Sequence, residues 1–359
     1  MPAACLPLAM RILYLSRVRL NPYVDLLARG VEESDPGIQT QRRRTLSWSH
    51  ILLDPRWRIL HLHWIELQYA YGDAPHEEAA RNLDSLLRKF ARLQKQGRKI
   101  VYTVHNINHH EGQHADLNQR ANAWIFRHAD ALHVHNAFTA RQVAQLYGRT
   151  TGVHIIPHGN YIGVYPQEVP RRAARARLDV PEDHFVYLCL GQMRPYKGLD
   201  ELIATFLQRR MPDATLLLAG HIPDPAYARQ LKRLAGDYPN IRLFPGFVLP
   251  EEIQLYCNAA DLCVLPYRDA TTSGAALLAF SFGSPIIAPA IGPFPELIGA
   301  NERGLLFHPR ERDLGDVLVQ ARDLPLAEMS RAARAFAEAR DWRTLGAQHA
   351  RVYRELFRN

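Results

Sequence analysis

Short apolar runs recur along the chain, and longer segments with helical periodicity separate them. In the first half the apolar runs lie at 11–15, 59–63, 99–104, 131–135 and 153–157. In the second half they lie at 185–191, 214–220, 241–246, 262–267, 285–289 and 304–309. Short strands that alternate with helices are typical of βαβ units, so we predict parallel sheets.

Two of the separating segments carry clear helix signals. Segment 77–96 repeats apolar residues at a spacing that places them on one helical face. These residues are Leu83, Leu86, Leu87, Phe90 and Leu93. Segment 136–147 begins at Asn136, a residue type whose side chain caps the free amides of a first turn. We predict a helix for each segment.

The alternating pattern stops in the stretch 158–183, which is rich in Gly, Pro and Arg and reads as a linker. We place a first domain at 10–165 and a second at 166–335. The predicted fold class is α/β, with two tandem Rossmann-like doubly wound domains and a cleft between them. Ligands of such sheets bind beyond the carboxyl ends of the strands.

Composition narrows the class of protein. No apolar run reaches the roughly 18 residues that a membrane-spanning helix needs. The N-terminus lacks a signal-peptide pattern, and Met10 is a second candidate start that would make residues 1–9 a disordered leader. Cys189 and Cys263 lie in predicted strands, where buried free thiols suit a reducing cytoplasm. We therefore expect a cytoplasmic protein.

The net charge of +8 comes almost entirely from arginine. A GC-rich genome would produce this bias without any function. Alternatively, the clusters Arg42–Arg44 and Arg171–Arg172 would attract an anionic lipid or an acidic substrate. No helix-turn-helix, zinc-finger or aromatic-rich basic motif accompanies them, so we expect no nucleic-acid partner.

A loop with two cations follows the first strand of the second domain. Gly191 ends the strand, and a helix is expected from about Gly198. Arg194 and Lys197 lie between them, where two cations beside a helix N-terminus would bind a diphosphate. The plainer alternative is a pair of solvated loop cations. The segment is not a P-loop, because the glycine run and the Lys-Ser/Thr pair are missing.

A second candidate binding segment follows the strand at 241–246. Phe247 and Val248 come directly after a turn at Pro245-Gly246. An apolar side chain and free backbone groups at that position suit the face and edge of a nucleobase. An ordinary connecting loop is the equal alternative.

The third candidate is the start of the helix after 262–267. Thr271, Thr272, Ser273 and Gly274 precede an almost wholly apolar helix interior. The first amides of a helix are unpaired and its dipole is positive there, so hydroxyls and glycine would let a phosphate approach closely. The alternative is a simple Ser or Thr N-cap. Three such features at one sheet edge favour a bound nucleotide diphosphate.

The order of these elements resembles retaining glycosyltransferase family 4 and other glycosyltransferases of the GT-B fold. The loop holding Gly191, Arg194, Lys197 and Gly198 is similar to the family's donor-diphosphate loop. Segments 246–248 and 256–266 are similar to the part that contacts the base. The resemblance covers most of residues 10–357.

The resemblance implies a first domain that binds the acceptor, a second that binds the nucleotide sugar, and final helices at 336–359 that cross back to the first domain. It also implies that no metal or other cofactor is needed, because basic side chains and helix dipoles neutralise the leaving diphosphate.

The chain departs from family 4 at two positions. That family usually carries two glutamates eight positions apart, and the corresponding places here hold Ala270 and Leu278. This variant resembles bacterial exopolysaccharide glycosyltransferases, including the β-mannosyltransferase group of xanthan-like pathways. We therefore favour inversion of configuration over retention. Glu296 is a remaining carboxylate that would face the cleft, with a surface loop position as the equal alternative.

Polar side chains follow successive strands of the first domain, as expected for an acceptor and reaction site. They are His61, His63, Trp64 and Glu66, then His105, His110 and Glu111, and then His133 and His135. Glu66 is our first choice for the general base of an inverting transfer, with Glu111 and His110 as alternatives. In a retaining enzyme His63 or His105 would instead hydrogen-bond the sugar. Histidines paired on adjacent strands are commonly core residues, so we do not expect a metal site.

These features predict a metal-independent hexosyltransferase of polysaccharide or glycoconjugate synthesis. The expected donor is a nucleotide-diphosphate sugar, with GDP-mannose the leading candidate, and the expected acceptor is a saccharide or lipid-linked saccharide. Arg42–Arg44 and Trp48 would give peripheral contact with an anionic inner-membrane surface. The alternatives are a nucleotide-sugar epimerase and a non-catalytic nucleotide-sugar-binding protein.

Overall fold

The computed structural model describes residues 9–53, 56–72, 74–107, 114–308 and 313–358. The chain divides into two compact units. The first comprises Met1–Gly159 and Arg340–Asn359, and the second comprises Asn160–Ala339.

The first unit is a parallel six-stranded sheet with helices on both faces. Its strands are β1 (Met10–Leu15), β2 (Ile38–Arg43), β3 (Trp57–His63), β4 (Lys99–Thr103), β5 (Ala131–Val134) and β6 (Val153–Ile155). The spatial order is β2-β1-β3-β4-β5-β6, with every pair parallel. Its helices are α1 (Tyr23–Ser34), α2 (Trp48–Leu53), α3 (Glu66–Tyr69), α4 (His76–Lys95), α5 (Ala115–His128) and α6 (Ala137–Tyr147).

The second unit repeats this architecture. Its strands are β7 (Phe185–Leu190), β8 (Ala214–Ala219), β9 (Ile241–Phe244), β10 (Leu262–Val264), β11 (Ile286–Pro289) and β12 (Gly304–Phe307), in the order β12-β11-β10-β7-β8-β9. Its helices are α7 (Arg171–Arg177), α8 (Leu199–Arg209), α9 (Pro225–Ala235), α10 (Ile253–Ala259), α11 (Gly274–Ser281), α12 (Phe294–Ile298), α13 (Leu314–Gln320) and α14 (Leu326–Glu338). The predicted two-domain α/β fold is confirmed.

The last helix, α15 (Trp342–Glu355), returns to the first unit. The Tyr353 hydroxyl lies 3.1 Å from that of Tyr14 on β1, and Arg354 forms an ion pair of 2.7 Å with Asp35 after α1. The predicted division at 335/336 falls inside α14, which lies wholly in the second unit.

Local sequence signals account for most elements. Every apolar run predicted as a strand forms one, and the helix predicted at 77–96 is α4. Asn136 caps α6, since its Oδ1 accepts a hydrogen bond of 2.7 Å from the amide of Thr139. Cys189 and Cys263 are buried free thiols, as expected.

Strand β2 was not predicted, because its sequence IQTQRR lacks an apolar run. It lies at the edge of the sheet, where charged side chains guard against pairing with another chain. Arg42 and Arg43 are therefore strand residues. Arg42 also forms an ion pair of 2.6 Å with Asp25, so this part of the predicted membrane-contacting cluster has an internal partner.

The two faces of the first sheet differ in composition. Leu60 and Leu62 of β3 pack in an apolar core with Phe90 of α4 and Ile125 of α5. Strand alternation turns His61 and His63 to the opposite face, toward the layer that contains Tyr23 of α1 and Tyr353 of α15. This layer adds a cluster of imidazole and aromatic rings to aliphatic side chains such as Val24 and Leu27.

Candidate functional site

The predicted binding residues of the second unit all follow strands at one edge of its sheet. Strands β9, β8, β7, β10 and β11 are consecutive neighbours, and the carboxyl ends of parallel strands meet at the same edge. The loops after four of these strands hold Gly191, Arg194, Lys197, Phe247, Val248, Thr272, Ser273, Gly274 and Glu296. Successive connections leave β7 and β10 in opposite directions, which makes their junction the switch point where doubly wound sheets bind ligands.

Close backbone packing shapes the loop after β7. Gly191 and Gly198 have φ angles of 119° and 68°, in the region that favours glycine. A methyl group on Gly198 would lie 2.2 Å from the carbonyl oxygen of Pro266, which follows β10. The amide of Arg268 also donates to the carbonyl of Tyr196 at 2.8 Å. These contacts lock the cation loop onto the segment after β10.

Lys197 is the most unusual charge at this edge. The residue is half-buried, and its ammonium lies 5.3 Å from the centre of the Tyr267 ring. Burial, with a smaller effect of the Arg194 charge, lowers the pKa of Lys197 to about 8. Among the described residues the Lys197 ammonium has no hydrogen bond and no ion pair. A desolvated cation without a carboxylate is well suited to an incoming anion.

Arg194 lies on the same loop, and its Nε donates to Gln192 Oε1 at 3.2 Å. Burial lowers the pKa of Arg194, yet a guanidinium stays charged at neutral pH. The loop thus holds two cations close to the start of α8.

Helix α11 begins at Gly274, as predicted, but Ser273 has a structural role. Its Oγ accepts a hydrogen bond of 3.2 Å from the amide of Ala276, so the hydroxyl is the N-cap of the helix. The plainer of the two alternatives accounts for this residue. Thr272 is half-exposed beside the cap, and the apolar interior of α11 lies in the core.

The places that hold glutamates in family 4 are apolar here, and they differ in exposure. Ala270 is buried, and Leu278 on α11 is half-exposed. A methyl group on Gly292, which follows β11, would lie 2.2 Å from the carbonyl oxygen of Ala270. The loops after β10 and β11 therefore touch. Glu296 is exposed in the first turn of α12.

The segment after β9 offers an apolar surface. The Phe247 side chain is 51% exposed, whereas Val248 packs against the core beneath it. An exposed aromatic ring at a strand end is a suitable stacking partner for a planar base.

In the first unit, Glu66 is the first residue of α3 and lies three residues after His63, the last residue of β3. Burial raises the pKa of Glu66 to about 7, because no cation compensates the desolvated carboxylate among the described residues. The Glu66 charge contributes to raising the pKa of the nearby Tyr69 and Tyr102 hydroxyls. A carboxyl group with this pKa can give and take a proton near neutrality.

His63 and His105 form a pair at the ends of β3 and β4. The Nδ1 of His63 lies 3.0 Å from the Nε2 of His105, within hydrogen-bond distance. Burial and the neighbouring histidines lower the pKa of both rings well below the ordinary value, so both are neutral. The pair therefore shares one proton between the two facing nitrogens.

Trp64 holds the His105 ring in place. The two rings stack at 3.8 Å with an interplanar angle of 8°. Trp64 has a φ of 49°, a left-handed conformation that costs roughly 1–2 kcal/mol for a residue with a side chain. Such strain persists only where the surroundings enforce it, and it is frequent at functional sites.

Tyr23 was not among the predicted site residues, yet it is the centre of this edge. Rings that end or follow four successive strands surround it: His63, His105, His135 and His158 lie 4.9 to 5.7 Å from its centroid. Trp342 of α15 adds a further ring at 5.2 Å. The sequence signal was the recurrence of histidine after strands, but only the fold supplies the common partner.

His110 and Glu111, two alternatives for the general base, lie outside the described residues. Within the part of the chain that the structure describes, no three His, Cys, Asp or Glu side chains are arranged to hold a metal ion. In the same part, no helix is both long enough and apolar enough to cross a membrane.

Comparison with known proteins relates the chain to glycosyltransferases. Residues 184–321 match the family described as Glycosyl transferases group 1. The chain is 26% identical over 343 residues to the GDP-mannose:glycolipid 4-beta-D-mannosyltransferase of Xanthomonas campestris pv. campestris, covering 93% of this chain and 88% of that one. It is 28% identical over 244 residues to the GDP-mannose-dependent alpha-(1-6)-phosphatidylinositol monomannoside mannosyltransferase of Mycolicibacterium smegmatis, covering 62% of each.

Solved structures share the fold over almost the whole chain. Sucrose-phosphate synthase from Thermosynechococcus elongatus superposes with a TM-score of 0.72 at 19% identity, covering 97% of this chain and 99% of that one. Anabaena Alr3699/HepE in complex with UDP and glucose superposes with a TM-score of 0.72 at 18% identity, covering 96% and 99%. The chain is a glycosyltransferase with the GT-B fold, and its second unit carries the matched group 1 segment.

Proposed function

We propose that this glycosyltransferase transfers mannose from GDP-mannose to a lipid-linked saccharide, with inversion of configuration and without a metal ion. The observation that carries the proposal is the desolvated, unpaired Lys197 ammonium at the switch point of the second sheet. Two relatives whose names specify GDP-mannose support the choice of donor. One of them is named for a glycolipid acceptor, which supports the choice of acceptor.

In this mechanism the second unit neutralises the leaving group. Lys197 and Arg194 would contact the diphosphate oxygens, and the start of α11 would add its dipole. Phe247 would stack on the base. Because these groups already supply positive charge, no divalent cation is required for the departure of GDP.

The first unit would supply the acceptor and the base. The acceptor hydroxyl attacks the anomeric carbon, its proton passes to the Glu66 carboxylate, and the bond from the anomeric carbon to the diphosphate oxygen breaks. Absence of the family-4 glutamates at Ala270 and Leu278 favours this inverting course. The named relatives make a β and an α linkage, so they support neither stereochemistry over the other. In a retaining enzyme, the paired His63 and His105 would bind the sugar instead.

Thermal shift with GDP, UDP, ADP and TDP tests the donor site. A nucleotide at 100 times its Kd stabilises the fold by about 2.7 kcal/mol, which moves the Tm by several degrees. We expect the largest shift with GDP. The shift should fall in Lys197→Met and persist in Lys232→Met, an exposed lysine on α9 that serves as the matched control.

The pH dependence of the same shift provides a second measurement. Above a pH of about 8 the free Lys197 ammonium loses its proton, so GDP should bind more weakly in the wild type. Lys197→Arg should flatten this decline, because guanidinium stays charged. Equal shifts with all four nucleotides, unchanged in Lys197→Met, would favour a non-catalytic scaffold.

Product analysis separates the remaining alternatives. Incubation of GDP-mannose with a lipid-linked saccharide should release GDP only when the acceptor is present. NMR of the product should show a β-configured mannose. An α product would make the enzyme retaining, and conversion of the donor without acceptor would identify an epimerase.

A further inference from the structure

Three large apolar side chains of the first unit are exposed near the ends of β1, β2 and β3. Leu20 is 72% exposed, Tyr71 is 50% exposed and Trp48 is 42% exposed. Single exposed apolar residues are common on protein surfaces, so their exposure alone is weak evidence for a binding site. A group of them on one surface indicates an interaction site.

Direct contacts join the segments that hold these residues. The guanidinium of Arg17 lies 4.6 Å from the centre of the Tyr71 ring. The amide of Ser16 donates to the carbonyl of Arg43 at 3.0 Å, which places the loop after β1 beside the loop after β2. Lys89 Nζ lies 5.9 Å from the centre of the Trp48 ring. Its ammonium also donates to the carbonyl of Leu46 at 2.9 Å, so α4 belongs to the same surface.

The two segments that carry most of this surface have charges of a single sign. Segments 10–24 and 38–53 contain no aspartate or glutamate. Arg19, Arg43 and Arg44 are exposed. The Nε of Arg17 is buried without a hydrogen-bond partner among the described residues, and the positive charge of Arg44 acts on the same guanidinium. Unneutralised cations packed this closely favour an anionic partner.

The combination of side chains distinguishes a membrane from other anionic partners. A lipid surface offers phosphate groups at the level of arginine and lysine heads, and acyl chains just beneath them for leucine and tryptophan. Nucleic acid would satisfy the charges but leave Leu20 in water. The surface also lies at the carboxyl edge of the sheet, the edge at which Glu66 follows β3.

We propose that the first unit docks on anionic membranes through this basic-aromatic surface, defined by Arg17, Arg19, Leu20, Arg43, Arg44, Trp48, Tyr71 and Lys89. It rests on the proposed function in one respect, because a lipid-linked acceptor is presented at such a membrane. Leu20, Trp48 and Tyr71 enter the interfacial layer, and the arginines bind lipid phosphates.

Vesicle flotation tests the proposal on the full chain. Vesicles of phosphatidylcholine alone are compared with vesicles of three parts phosphatidylcholine and one part phosphatidylglycerol. The wild type should float with the second kind, and binding should weaken as salt is raised. Each arginine near an anionic surface changes membrane partition by roughly fivefold, so Arg43→Gln with Arg44→Gln should lower it by roughly 25-fold. Leu20→Ser with Trp48→Ala should lower it by roughly tenfold or more.

A matched control lies on another helix of the same unit. Arg141→Gln with Leu146→Ser removes one exposed arginine and one leucine that is 54% exposed, both on α6. This variant should float like the wild type. Circular dichroism and the GDP-induced thermal shift show that each variant is folded.

Several outcomes would contradict the proposal that this surface docks on membranes. They are no flotation of the wild type, equal flotation with neutral and anionic vesicles, equal losses in the α6 control, and equally tight binding to a duplex oligonucleotide. An assay of mannose transfer to a water-soluble saccharide acceptor, which needs no membrane, tests the proposed function independently of flotation. Wild-type transfer without flotation refutes the surface alone, whereas flotation without transfer refutes the proposed function alone.

Discussion

At the carboxyl edge of the second sheet, close backbone contacts determine how the loops pack. At the same edge of the first sheet, contacts between aromatic and imidazole rings determine how the side chains pack. In the second unit Gly191, Gly198 and Gly220 let neighbouring loops touch, and a methyl group on Gly220 would lie 1.9 Å from the carbonyl oxygen of Gly191. In the first unit imidazole and aromatic rings surround Tyr23. Both sheets are parallel and doubly wound, so topology alone does not set the chemistry of the edge.

The contrast shows two ways of preparing a polar site. Glycine loops let the backbone pack closely around the loop that carries the partly buried Lys197 cation. Packed rings fix the direction of a few polar atoms, such as the facing nitrogens of His63 and His105. The first arrangement depends on backbone conformation, and the second depends on protonation. The following predictions act on these two dependencies separately, from the largest expected effect to the smallest.

Acid should unfold the first unit before the second. Among the described residues of this unit, burial lowers the pKa of eight histidines below the ordinary value: His61, His63, His105, His133, His135, His154, His158 and His349. Unfolded histidine takes up its proton near pH 6.5, so these groups favour the folded state fully above that pH and progressively less as the pH falls. Each one costs up to about 1.4 kcal/mol of stability per pH unit.

Glu66 acts in the opposite direction, because its pKa is raised to about 7 and protonation relieves its burial. One carboxyl group does not offset eight imidazoles. All five tryptophans of the chain belong to the first unit, so tryptophan fluorescence reports on that unit specifically. The unfolding transition followed by tryptophan fluorescence should therefore show a stability that falls as the pH is lowered. A stability of the first unit that does not change between pH 7 and pH 4 would contradict the prediction.

Glu66→Gln should abolish most transfer while leaving the second unit unaffected. Loss of a general base typically lowers the rate by 10²–10⁴-fold, and we expect kcat to fall within about this range. In the wild type the rate should rise with pH through about 7, as the carboxyl group ionises. The GDP-induced thermal shift should be unchanged in the variant. Full activity in Glu66→Gln would transfer the role to His110 or Glu111.

Gly198→Ala should destabilise the second unit by about 3 kcal/mol, since strain at positive φ adds to a clash with the Pro266 carbonyl. Gly163→Ala is the matched control in the same unit. Its φ is 74°, and a methyl group there would meet nothing within 4 Å, so it should cost only about 1 kcal/mol. Urea unfolding followed by circular dichroism measures both. Equal losses in the two variants would mean that the close approach contributes nothing.

Trp64→Ala should lower kcat by about tenfold through loss of the stack on His105, with little change in nucleotide binding. Trp64→Gly removes the same stack but also relieves the left-handed backbone. It should therefore be more stable than Trp64→Ala by roughly 1 kcal/mol. Chemical denaturation and steady-state kinetics of the two variants separate ring contact from strain.

The fold was predictable because apolar runs and helical periodicity are local signals, and they located all strands except β2. That strand has the polar sequence of an edge, so no local signal marks it. The placement of the second-unit candidate residues at one sheet edge was predictable, since the glycines and cations directly follow predicted strands. The N-cap role of Ser273 needed the observed hydrogen bond to the Ala276 amide.

The first-unit site was less accessible from sequence. Its organisation depends on residues far apart in the chain, such as Tyr23 and His158, and on the positive φ of Trp64. Sequence order carries neither kind of information.

The return of α15 to the first unit has a consequence for synthesis on the ribosome. The segment Asn160–Ala339 is continuous, so the second unit can fold as soon as it has emerged. The unit that begins first must wait for α15, because Tyr14 and Asp35 can contact Tyr353 and Arg354 only after these residues have emerged. The histidine-rich layer beneath α15 thus stays uncovered until α15 has emerged, and a nascent chain interrupted before residue 342 would expose it.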